Sequence, residues 1–411
     1  MKEFDIFREA LKSPYYAEKY KGVKVPESYE DWLKVPFLTR NDLFQNTYPA
    51  STAMLTAPLE NAIVLSTGGS TGVARTVVLS NAEWDAFCGK QGEAFLTLGV
   101  KPDDVIANLF VAGHLWPSFI GVHEMITHSC GVHLPISSNI PIEDIYKICR
   151  QYEPTVMVSL PTMFVFLADL AKKEGKPFKN LRLIAYAGEQ LSREAEAHVR
   201  KWLGVKYIKA LAYTSSDCGI MGIQTLDDGF GTYHLPQDFQ FIEILNPDTL
   251  QPVQNGEFGE IVITNLVRKL QPIIRYRIGD MAKWIDKEKG VFQLAGRAGE
   301  DFKLGGAYVT IGEFEKGISE FGDLSMNFQL VLEDIGNKMN VILTVECDEP
   351  EKHQDSALRL RSRLQEIIKD LKGGEELGFF NRYEVVLQPL GSLPRNPITG
   401  KIKKIIDKRV L

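Results

Sequence analysis

Residues 62–80 read AIVLSTGGSTGVARTVVLS, in which two short apolar runs flank a stretch rich in glycine and hydroxyl side chains. The runs at 62–65 and 76–80 favour β-strands, so the segment predicts a strand, a tight loop and a second strand. Glycine lets the backbone approach a ligand closely, and exposed N–H groups and hydroxyls can bind an anion. With the cation Arg75 at its end, the loop at 66–75 is a candidate site for a nucleotide triphosphate.

Three other interpretations of this loop compete, and its residues weigh against two of them. The first is a glycine- and serine-rich surface loop without a ligand. The second is the nucleophile elbow of a serine hydrolase, because GGSTG at 68–72 fits G-x-S-x-G around Ser70. An elbow requires a helix directly after the serine, and the β-branched run from Thr76 disfavours one. The third is a Walker A loop, which requires a Gly-Lys-Ser/Thr sequence that does not follow here.

The composition of the chain is that of a globular protein. It has 411 residues, 44% hydrophobic and 24% charged, which is enough for two or three domains. The net charge of −6 gives no general attraction to nucleic acid or to anionic membranes. Neither a signal peptide nor an apolar run of membrane-spanning length is apparent. Five cysteines at scattered positions predict reduced thiols. The expectation is a soluble, cytoplasmic protein that binds neither nucleic acid nor membranes.

The order of the predicted elements indicates an α/β fold. From residue 81 to 203, helical patterns alternate with short buried strands, which predicts βαβ units and a mostly parallel sheet. Short β runs from about residue 229 predict a small barrel or sandwich. We therefore expect a large N-terminal domain, 1–298, with mostly parallel sheets flanked by helices plus a small β-barrel-like part. A small mobile α+β domain, 299–411, would follow. Thr39 and Ser192 are predicted helix N-caps.

Polar loops follow the predicted strands, where parallel sheets bind ligands. In the segment 213–217, Tyr213 can stack on a base, hydroxyls can meet a phosphate and Asp217 can bind Mg²⁺. The alternative is a polar loop in which Asp217 caps a helix. Asp280, after a turn glycine, can accept hydrogen bonds from two ribose hydroxyls; the alternative is a structural turn in which Arg275 and Asp280 pair.

Two further groups of residues bear on chemistry. Lys401 ends a loop at 393–401 and can reach a developing negative charge, although the segment is equally a basic tail. His128, Cys130 and His133 lie close in sequence, but their spacing matches no zinc signature, so a structural role is expected.

These loops, in this order, resemble those of the adenylate-forming superfamily, which contains acyl-CoA synthetases and the adenylation domains of peptide synthetases. Within it the chain resembles the phenylacetate–CoA ligase branch. The resemblance extends over nearly the whole chain. It rests on VPFLTRNDL at 35–43 with YP at 48–49, the loop at 66–75, GEQLS at 188–192, GEIVITNL at 259–266 with RYRIGD at 275–280, a hinge-like GR at 296–297 and LPRNPITGK at 393–401.

The resemblance implies that ATP, with Mg²⁺, activates a carboxylic acid as an acyl-AMP, which is then passed to coenzyme A. The implied catalytic residues are Lys401, Arg75 and Asp217, and Asp217 would also bind Mg²⁺. ATP would be bound by the phosphate loop (Ser66, Gly68, Gly69, Ser70, Thr71, Gly72), the adenine segment (Gly188, Glu189, Gln190), Tyr213 stacked on the base, the hydroxyls of Thr214, Ser215 and Ser216, and Asp280 with Arg297 at the ribose.

The acid itself would be hydrophobic and aromatic. By the same resemblance its pocket is lined by His114, Trp116, Phe119, Tyr186 and Ala187, and an aromatic lining suits a flat aromatic acid. Each of these residues is equally consistent with ordinary core packing. The implied partners are the small-molecule acid, ATP and coenzyme A, with a homodimer as one possible assembly.

Three departures from the family pattern leave alternatives open. Arg75 stands in place of the usual lysine, and Asp217 in place of the usual glutamate. Gly-Glu at 299–300 stands in place of the usual Asp-Asp hinge pair, and Gly-Gly at 305–306 where Arg-Gly is frequent. The altered hinge makes the second step less certain than the first, so the acceptor is alternatively an amine, a carrier-protein thiol or a reductase partner. A serine hydrolase using Ser70 is a third hypothesis.

Overall fold

The computed structural model of the chain describes residues 2–66, 75–188, 191–297, 302–304, 307–335, 338–368, 371–372, 375, 380–395 and 401–408. Within these residues the helices are α1 (Lys2–Ala10), α2 (Pro14–Lys19), α3 (Tyr29–Trp32), α4 (Arg40–Asn46), α5 (Asn81–Thr97), α6 (Pro117–Thr127), α7 (Ile142–Tyr152), α8 (Pro161–Glu174), α9 (Arg193–Leu203), α10 (Ile311–Ser319) and α11 (Gln354–Ile367), with a short 3-10 helix at Pro350–Lys352.

The strands alternate with these helices in the middle of the chain and follow one another after it. They are β1 (Ala62–Ser66), β2 (Thr76–Ser80), β3 (Val105–Asn108), β4 (Val132–Pro135), β5 (Val156–Ser159), β6 (Leu183–Tyr186), β7 (Tyr207–Ala210), β8 (Tyr213–Ser215), β9 (Gly219–Gly222), β10 (Thr232–His234), β11 (Gln240–Leu245), β12 (Phe258–Asn265), β13 (Tyr276–Asp286), β14 (Val291–Arg297), β15 (Phe302–Leu304), β16 (Ala307–Val309), β17 (Leu324–Ile335), β18 (Lys338–Cys347), β19 (Phe380–Pro389) and β20 (Ile405–Asp407).

The chain divides into two compact units. The first contains Met1–Asn108, Ala112–Pro135 and Lys209–Ala298, and the second contains Leu109–Val111, Ile136–Ile208 and Gly299–Leu411. Residues 136–208 are thus grouped with the C-terminal part of the chain. The division into a domain at 1–298 and a mobile domain at 299–411 stays a prediction.

In the first unit, β1 and β2 form an antiparallel hairpin in which Ser66 lies opposite Thr76. The predicted strand before the loop and the predicted strand after it are therefore both present, and a strand stands where a nucleophile elbow requires a helix. Helix α5 begins directly after β2. Ser80 caps it, because its Oγ accepts from the Glu83 N–H at 3.3 Å and the Glu83 carboxylate accepts from the Ser80 N–H at 2.7 Å.

Parallel strands joined by helices confirm the predicted α/β class. In the first unit β3 and β4 are parallel, with α6 between them in sequence. In the second unit β5 and β6 are parallel, with α8 between them. Strands β5 and β6 are buried along their whole length, as the apolar runs predicted for a sheet covered on both faces. Both predicted N-caps are present, with Thr39 Oγ1 accepting from the Asp42 N–H and Ser192 Oγ from the Ala195 N–H.

The first unit also holds a five-stranded antiparallel sheet in the order β10-β14-β13-β12-β11. It occupies the region for which the short β runs predicted a barrel or sandwich. Strand β12 is buried on both faces, because seven of its eight residues, Gly259 to Asn265, are buried in succession. Strand β13 is longer than predicted. It carries a register irregularity opposite the Glu260–Val262 step of β12, and Gly279 has φ +87°. Asp280 therefore lies within a bulged strand and not after a turn.

In the second unit a four-stranded sheet has the order β19-β18-β17-β20. Strands β17 and β18 form the predicted hairpin, and β19 and β20 add to it in parallel. Helix α11 buries Leu360 and Leu364. The Asp169 side chain of α8 accepts hydrogen bonds from Ser325 Oγ of β17 at 2.6 Å and from His198 Nε2 of α9 at 2.8 Å. This buried carboxylate fixes two helices and a strand of the unit to one another.

The described helices include none whose length and apolar character would allow it to cross a lipid bilayer. All five cysteines are free thiols. Burial raises the pKa of the Cys88 and Cys149 thiols to about 12, so these thiols are protonated at neutral pH.

Candidate active site

Two residues predicted to be catalytic form a largely buried ion pair in the first unit. Arg75 directly precedes β2, and Asp217 lies in the turn between β8 and β9. The Arg75 Nε donates to Asp217 Oδ1 at 3.3 Å, and its Nη2 donates to Oδ2. Burial acts to lower the pKa of Arg75, but the hydrogen bond and the charge of Asp217 outweigh it, so the pKa is raised. Arg75 is therefore held by Asp217, the carboxylate that the sequence predicts to bind Mg²⁺.

The segment around Asp217 differs from the predicted polar loop. Tyr213, Thr214 and Ser215 form β8, which pairs with β9 in a two-stranded antiparallel ribbon. Ser215 Oγ accepts from the Cys218 N–H at 3.0 Å, which closes the turn that contains Ser216 and Asp217. A strand follows Asp217, so the alternative in which it caps a helix is wrong. The ribbon fixes the direction of the Asp217 backbone, whereas a loop would not.

A second pair joins Tyr213 and Asp280. The Tyr213 hydroxyl donates to Asp280 Oδ2 at 2.5 Å. The Tyr213 ring packs against Tyr233, at 5.8 Å between ring centroids, and against Phe292 at 6.1 Å. The predicted base platform and the predicted ribose ligand are therefore in direct contact, and two further aromatic rings hold the platform in place. In the ladder of β13 and β14, Asp280 lies opposite Arg297.

The alternative pairing of Arg275 with Asp280 is wrong. Arg275 instead makes a two-point ion pair with Glu243 of β11, with Nε–Oε2 and Nη2–Oε1 distances of 3.0 Å, and each side chain is 1% exposed. Its Nη1 donates to the carbonyls of Leu33 and Val35, and Trp32 Nε1 donates to Glu243 Oε2 at 3.1 Å. Burial raises the pKa of Glu243 against the opposing effect of Arg275.

The network around Arg275 joins two of the motifs, the segment 35–43 and the segment 275–280. The Leu38 N–H donates to the Arg275 carbonyl and the Arg277 N–H donates to the Leu38 carbonyl, both at 3.1 Å. The segment 35–43 therefore pairs with the first residues of β13 through a parallel bridge between Leu38 and Tyr276, and it covers the buried guanidinium of Arg275. Its role is structural, because it holds the strand that carries Asp280.

Lys401 lies in the second unit and contacts another predicted site residue. Its Nζ donates to the carbonyl of Gly188, which follows β6. Gly188 has φ +82°, and a Cβ at this position would lie 3.0 Å from the Leu160 side chain and 3.4 Å from Lys401 Nζ. Glycine suits this position because it adopts the positive φ without strain and has no Cβ to crowd Leu160 and Lys401. Tyr186 is buried at the end of β6, and the Ala187 N–H donates to the Ser159 carbonyl at 3.2 Å.

The remaining residues predicted to line the acid pocket, His114, Trp116 and Phe119, lie on a turn of the first unit and on the helix after it. Gly113, His114 and Leu115 have consecutive positive φ angles of 98°, 53° and 61°. This left-handed backbone is strained at His114 and Leu115. The Leu115 carbonyl accepts from the Ser66 N–H at 2.8 Å, which fixes the turn to the end of β1. His114 is exposed, and Trp116 and Phe119 are half-buried.

Several predicted site residues lie outside the described residues. They are Gly68, Gly69, Ser70, Thr71 and Gly72 of the phosphate loop, Glu189 and Gln190 of the adenine segment, and the hinge positions 299–300 and 305–306. Their roles stay predictions.

The donor set around Asp217 does not fit a resident metal ion. Each of its carboxylate oxygens already accepts from Arg75. In the part of the chain that the structure describes, no three His, Cys, Asp or Glu side chains are grouped to hold a metal. A Mg²⁺ ion that arrives with ATP takes most of its ligands from phosphate and water. Mg²⁺ therefore belongs to the MgATP substrate. Binding of Mg²⁺ by Asp217 stays a prediction, and in it Arg75 and the metal ion compete for the same carboxylate oxygens.

One residue close to this pair was missed by the sequence reasoning. Arg268 is 3% exposed and its Nη1 donates to the Asp217 carbonyl. The signal was available, because an arginine between the ITN end of β12 and the LQPII run is a charged residue in an apolar setting.

Known proteins resemble the chain in sequence and in fold. Residues 17–266 match the family model described as "AMP-binding enzyme". The chain is 24% identical over 391 residues to a phenylacetate-coenzyme A ligase of Pseudomonas putida, across 93% of this chain and 85% of that protein. It is 23% identical over 277 residues to an indoleacetate–lysine synthetase of Pseudomonas savastanoi, across 66% of each. In fold it is similar to a crystal structure of 2-hydroxyisobutyryl-CoA ligase in complex with 2-HIB-AMP, with a TM-score of 0.82 and 18% identity, across 99% of this chain and 88% of that one.

Proposed function

Since the chain belongs to the AMP-binding enzyme family, we propose that it activates a hydrophobic, aromatic carboxylic acid with ATP and transfers the acyl group to coenzyme A. Membership of the family makes it an adenylate-forming, ATP-dependent ligase. The choice of acid and of acceptor is supported by the likeness to phenylacetate-coenzyme A ligase, which extends over most of both chains.

The contact between Tyr213 and Asp280 carries the proposal. It pairs an aromatic ring with a half-buried carboxylate, joined by a hydrogen bond of 2.5 Å. A ring of this kind can stack on adenine, while a carboxylate can accept hydrogen bonds from both ribose hydroxyls. Because the two groups are fixed to each other, they are suited to bind the base and the sugar of one nucleoside.

The first step joins the acid to the α-phosphorus of ATP. A carboxylate oxygen forms the new bond to phosphorus, the bond to the β-phosphate oxygen breaks, and pyrophosphate leaves. Negative charge gathers on the transferring group, so cations must stabilise it. In the proposed reaction Arg75, Lys401 and the Mg²⁺ of MgATP supply this charge. In the second step the thiol of coenzyme A attacks the acyl carbon and AMP leaves.

The aromatic acid is supported by side chains near the strained turn. Trp116 and Phe119 are half-buried and follow the residues with positive φ. Strain of this kind is concentrated at ligand sites, where the surrounding structure holds the backbone in place. Exposed His114 on the same turn is available to a polar group of the substrate.

ATP–pyrophosphate exchange tests the first step. Phenylacetate, indoleacetate and 4-hydroxybenzoate are compared with 2-hydroxyisobutyrate, an aliphatic acid. We expect exchange with at least one aromatic acid and weaker exchange with the aliphatic one. Exchange with no acid would refute the proposed activity, and a preference for the aliphatic acid would refute the aromatic pocket. Addition of coenzyme A should then produce a thioester and AMP.

A second candidate ends in an amide. It is favoured by the indoleacetate–lysine synthetase of Pseudomonas savastanoi, which matches 66% of this chain, and by the altered residues at 299–300. Under this alternative, acyl-AMP forms while coenzyme A is not consumed, and an added amine such as lysine is acylated. A serine hydrolase is tested by labelling Ser70 with a fluorophosphonate, and no labelling is expected.

A further inference from the structure

The buried guanidinium of Arg268 is distinctive because it carries a charge without a carboxylate partner. Its Nη1 donates to the Asp217 carbonyl and its Nη2 to the Val78 carbonyl at 3.4 Å. Its Nε is buried and has no hydrogen-bond partner among the described atoms. Across the described residues, Arg268 makes no ion pair, whereas the other fully buried arginine, Arg275, is paired with Glu243.

The two carboxylates near Arg268 are engaged with other groups. Asp217 forms its ion pair with Arg75. Glu83 acts on Arg268 only through space, because its carboxylate accepts from the N–H groups of Ser80 at 2.7 Å and Leu270 at 2.9 Å and caps α5. Burial lowers the pKa of Arg268, yet a guanidinium remains protonated at neutral pH.

A buried charge without a hydrogen-bonded carboxylate is costly, and an anionic ligand would offset part of that cost. The position of Arg268 favours this use. Arg268 donates to the carbonyl of Asp217, whose side chain pairs with Arg75. It also donates to the carbonyl of Val78 in β2, the strand that begins directly after Arg75. One side chain thus fixes both elements that carry the ion pair and adds a positive charge behind them.

We propose that Arg268 is a positioning residue of the nucleotide site, which orients the Arg75–Asp217 pair and attracts the triphosphate without touching it. The inference rests on the proposed function, because it takes ATP as the anion. It assigns to Arg268 part of the charge that binds MgATP.

A comparison of Arg268→Lys with Arg268→Gln tests the charge, because both variants keep a side-chain donor and only lysine keeps the charge. Gln271→Met is the matched control. Gln271 is 2% exposed, and its Oε1 accepts from the Val78 N–H at 2.8 Å, so this variant removes an uncharged hydrogen bond to the same residue of β2.

Binding of MgATP is measured by titration calorimetry at low and high salt, together with the KM for ATP in pyrophosphate exchange. A unit charge at about 10 Å in a medium of effective dielectric near 20 corresponds to a change of roughly tenfold in affinity. We expect Arg268→Gln to weaken binding about tenfold, to reduce its salt dependence and to change kcat less than KM. Arg268→Lys should restore most of the affinity, and Gln271→Met should stay within about threefold of the wild type.

Equal affinities for Arg268→Gln and Arg268→Lys, or an equal loss in Gln271→Met, would overturn the inference. If a variant is too unstable for calorimetry, the rise in its melting temperature with added MgATP gives the same comparison. Failure of the wild type to bind ATP would instead refute the proposed function.

Discussion

Replacing Tyr213 by phenylalanine tests the nucleoside site most directly. The substitution removes the hydroxyl that donates to Asp280 Oδ2 at 2.5 Å and keeps the ring, which packs against Tyr233 and Phe292. A hydrogen bond to a charged group contributes about 1.5–3 kcal/mol. At about 1.4 kcal/mol for each factor of ten, its full loss corresponds to a change of roughly 10- to 150-fold.

For Tyr213→Phe we expect the smaller effect on ATP binding, about tenfold. Asp280 is half-buried, so water can replace part of the lost hydrogen bond. Without the phenol the carboxylate is less firmly oriented toward the ribose, while stacking on the base is retained. We therefore expect the KM for ATP in pyrophosphate exchange to rise about tenfold, with a smaller change in kcat.

Two further variants make this result decisive. Tyr233→Phe removes a hydroxyl from the same aromatic group, whose rings stack at 5.9 Å between Tyr233 and Phe292, and should leave the KM for ATP unchanged. In an Asp280→Ala background, Tyr213→Phe should add no further loss. A KM for ATP within twofold of the wild type in Tyr213→Phe, or an equal rise in Tyr233→Phe, would refute the reasoning.

Three other perturbations have expected outcomes. Lys401→Ala should abolish acyl-AMP formation while thiolysis of pre-formed acyl-AMP falls far less, and an equal loss in both half-reactions would show that Lys401 is misplaced. Arg275→Met should lower the free energy of unfolding in urea by about 3–5 kcal/mol, because Glu243 is left buried without its ion-pair partner, whereas a loss below about 1 kcal/mol would contradict this. Burial and the neighbouring His123 lower the pKa of His133 from 6.5, and the Nδ1 atoms of the two rings are 3.2 Å apart. As the pH falls, the unfolded chain therefore takes up the proton before the folded chain does. The free energy of unfolding should consequently decrease as the pH drops below about 6.5. His133→Gln should weaken that fall, and an unchanged pH profile of the melting temperature would count against it.

The elements that the sequence predicted well are those with a simple periodic pattern. The helix Ile142–Tyr152 and the strand Val132–Pro135 have the predicted bounds, because their apolar residues follow the helical and strand periods over the whole element. The start of β13 was missed, because Pro272 and Gly279 indicate turns, whereas the register irregularity opposite Glu260 and Val262 allows the strand to continue through Gly279.

The partners of charged residues could not be predicted from nearby sequence. Arg275 lies five residues before Asp280 but pairs with Glu243 on a strand two places away in the sheet. Tyr213 and Asp280 are 67 residues apart, and Arg75 and Asp217 are 142 apart. The resemblance to the adenylate-forming superfamily implied that these residues serve one site, but the ion pair that links Arg75 to Asp217 depends on the tertiary fold.

The N-terminal segment that covers Arg275 has a consequence for folding during synthesis. Val35 and Arg275 are 240 residues apart, and Tyr16, whose hydroxyl donates to the Pro272 carbonyl at 2.8 Å, is 256 residues from its partner. At a synthesis rate of about 5–20 residues per second, the N-terminal segment emerges from the ribosome roughly 12–50 s before these partners exist. During that interval Tyr16 and Trp32, fully buried in the finished protein, have no native surface to cover them. Substitutions in this segment should therefore reduce the yield of folded protein before they affect turnover.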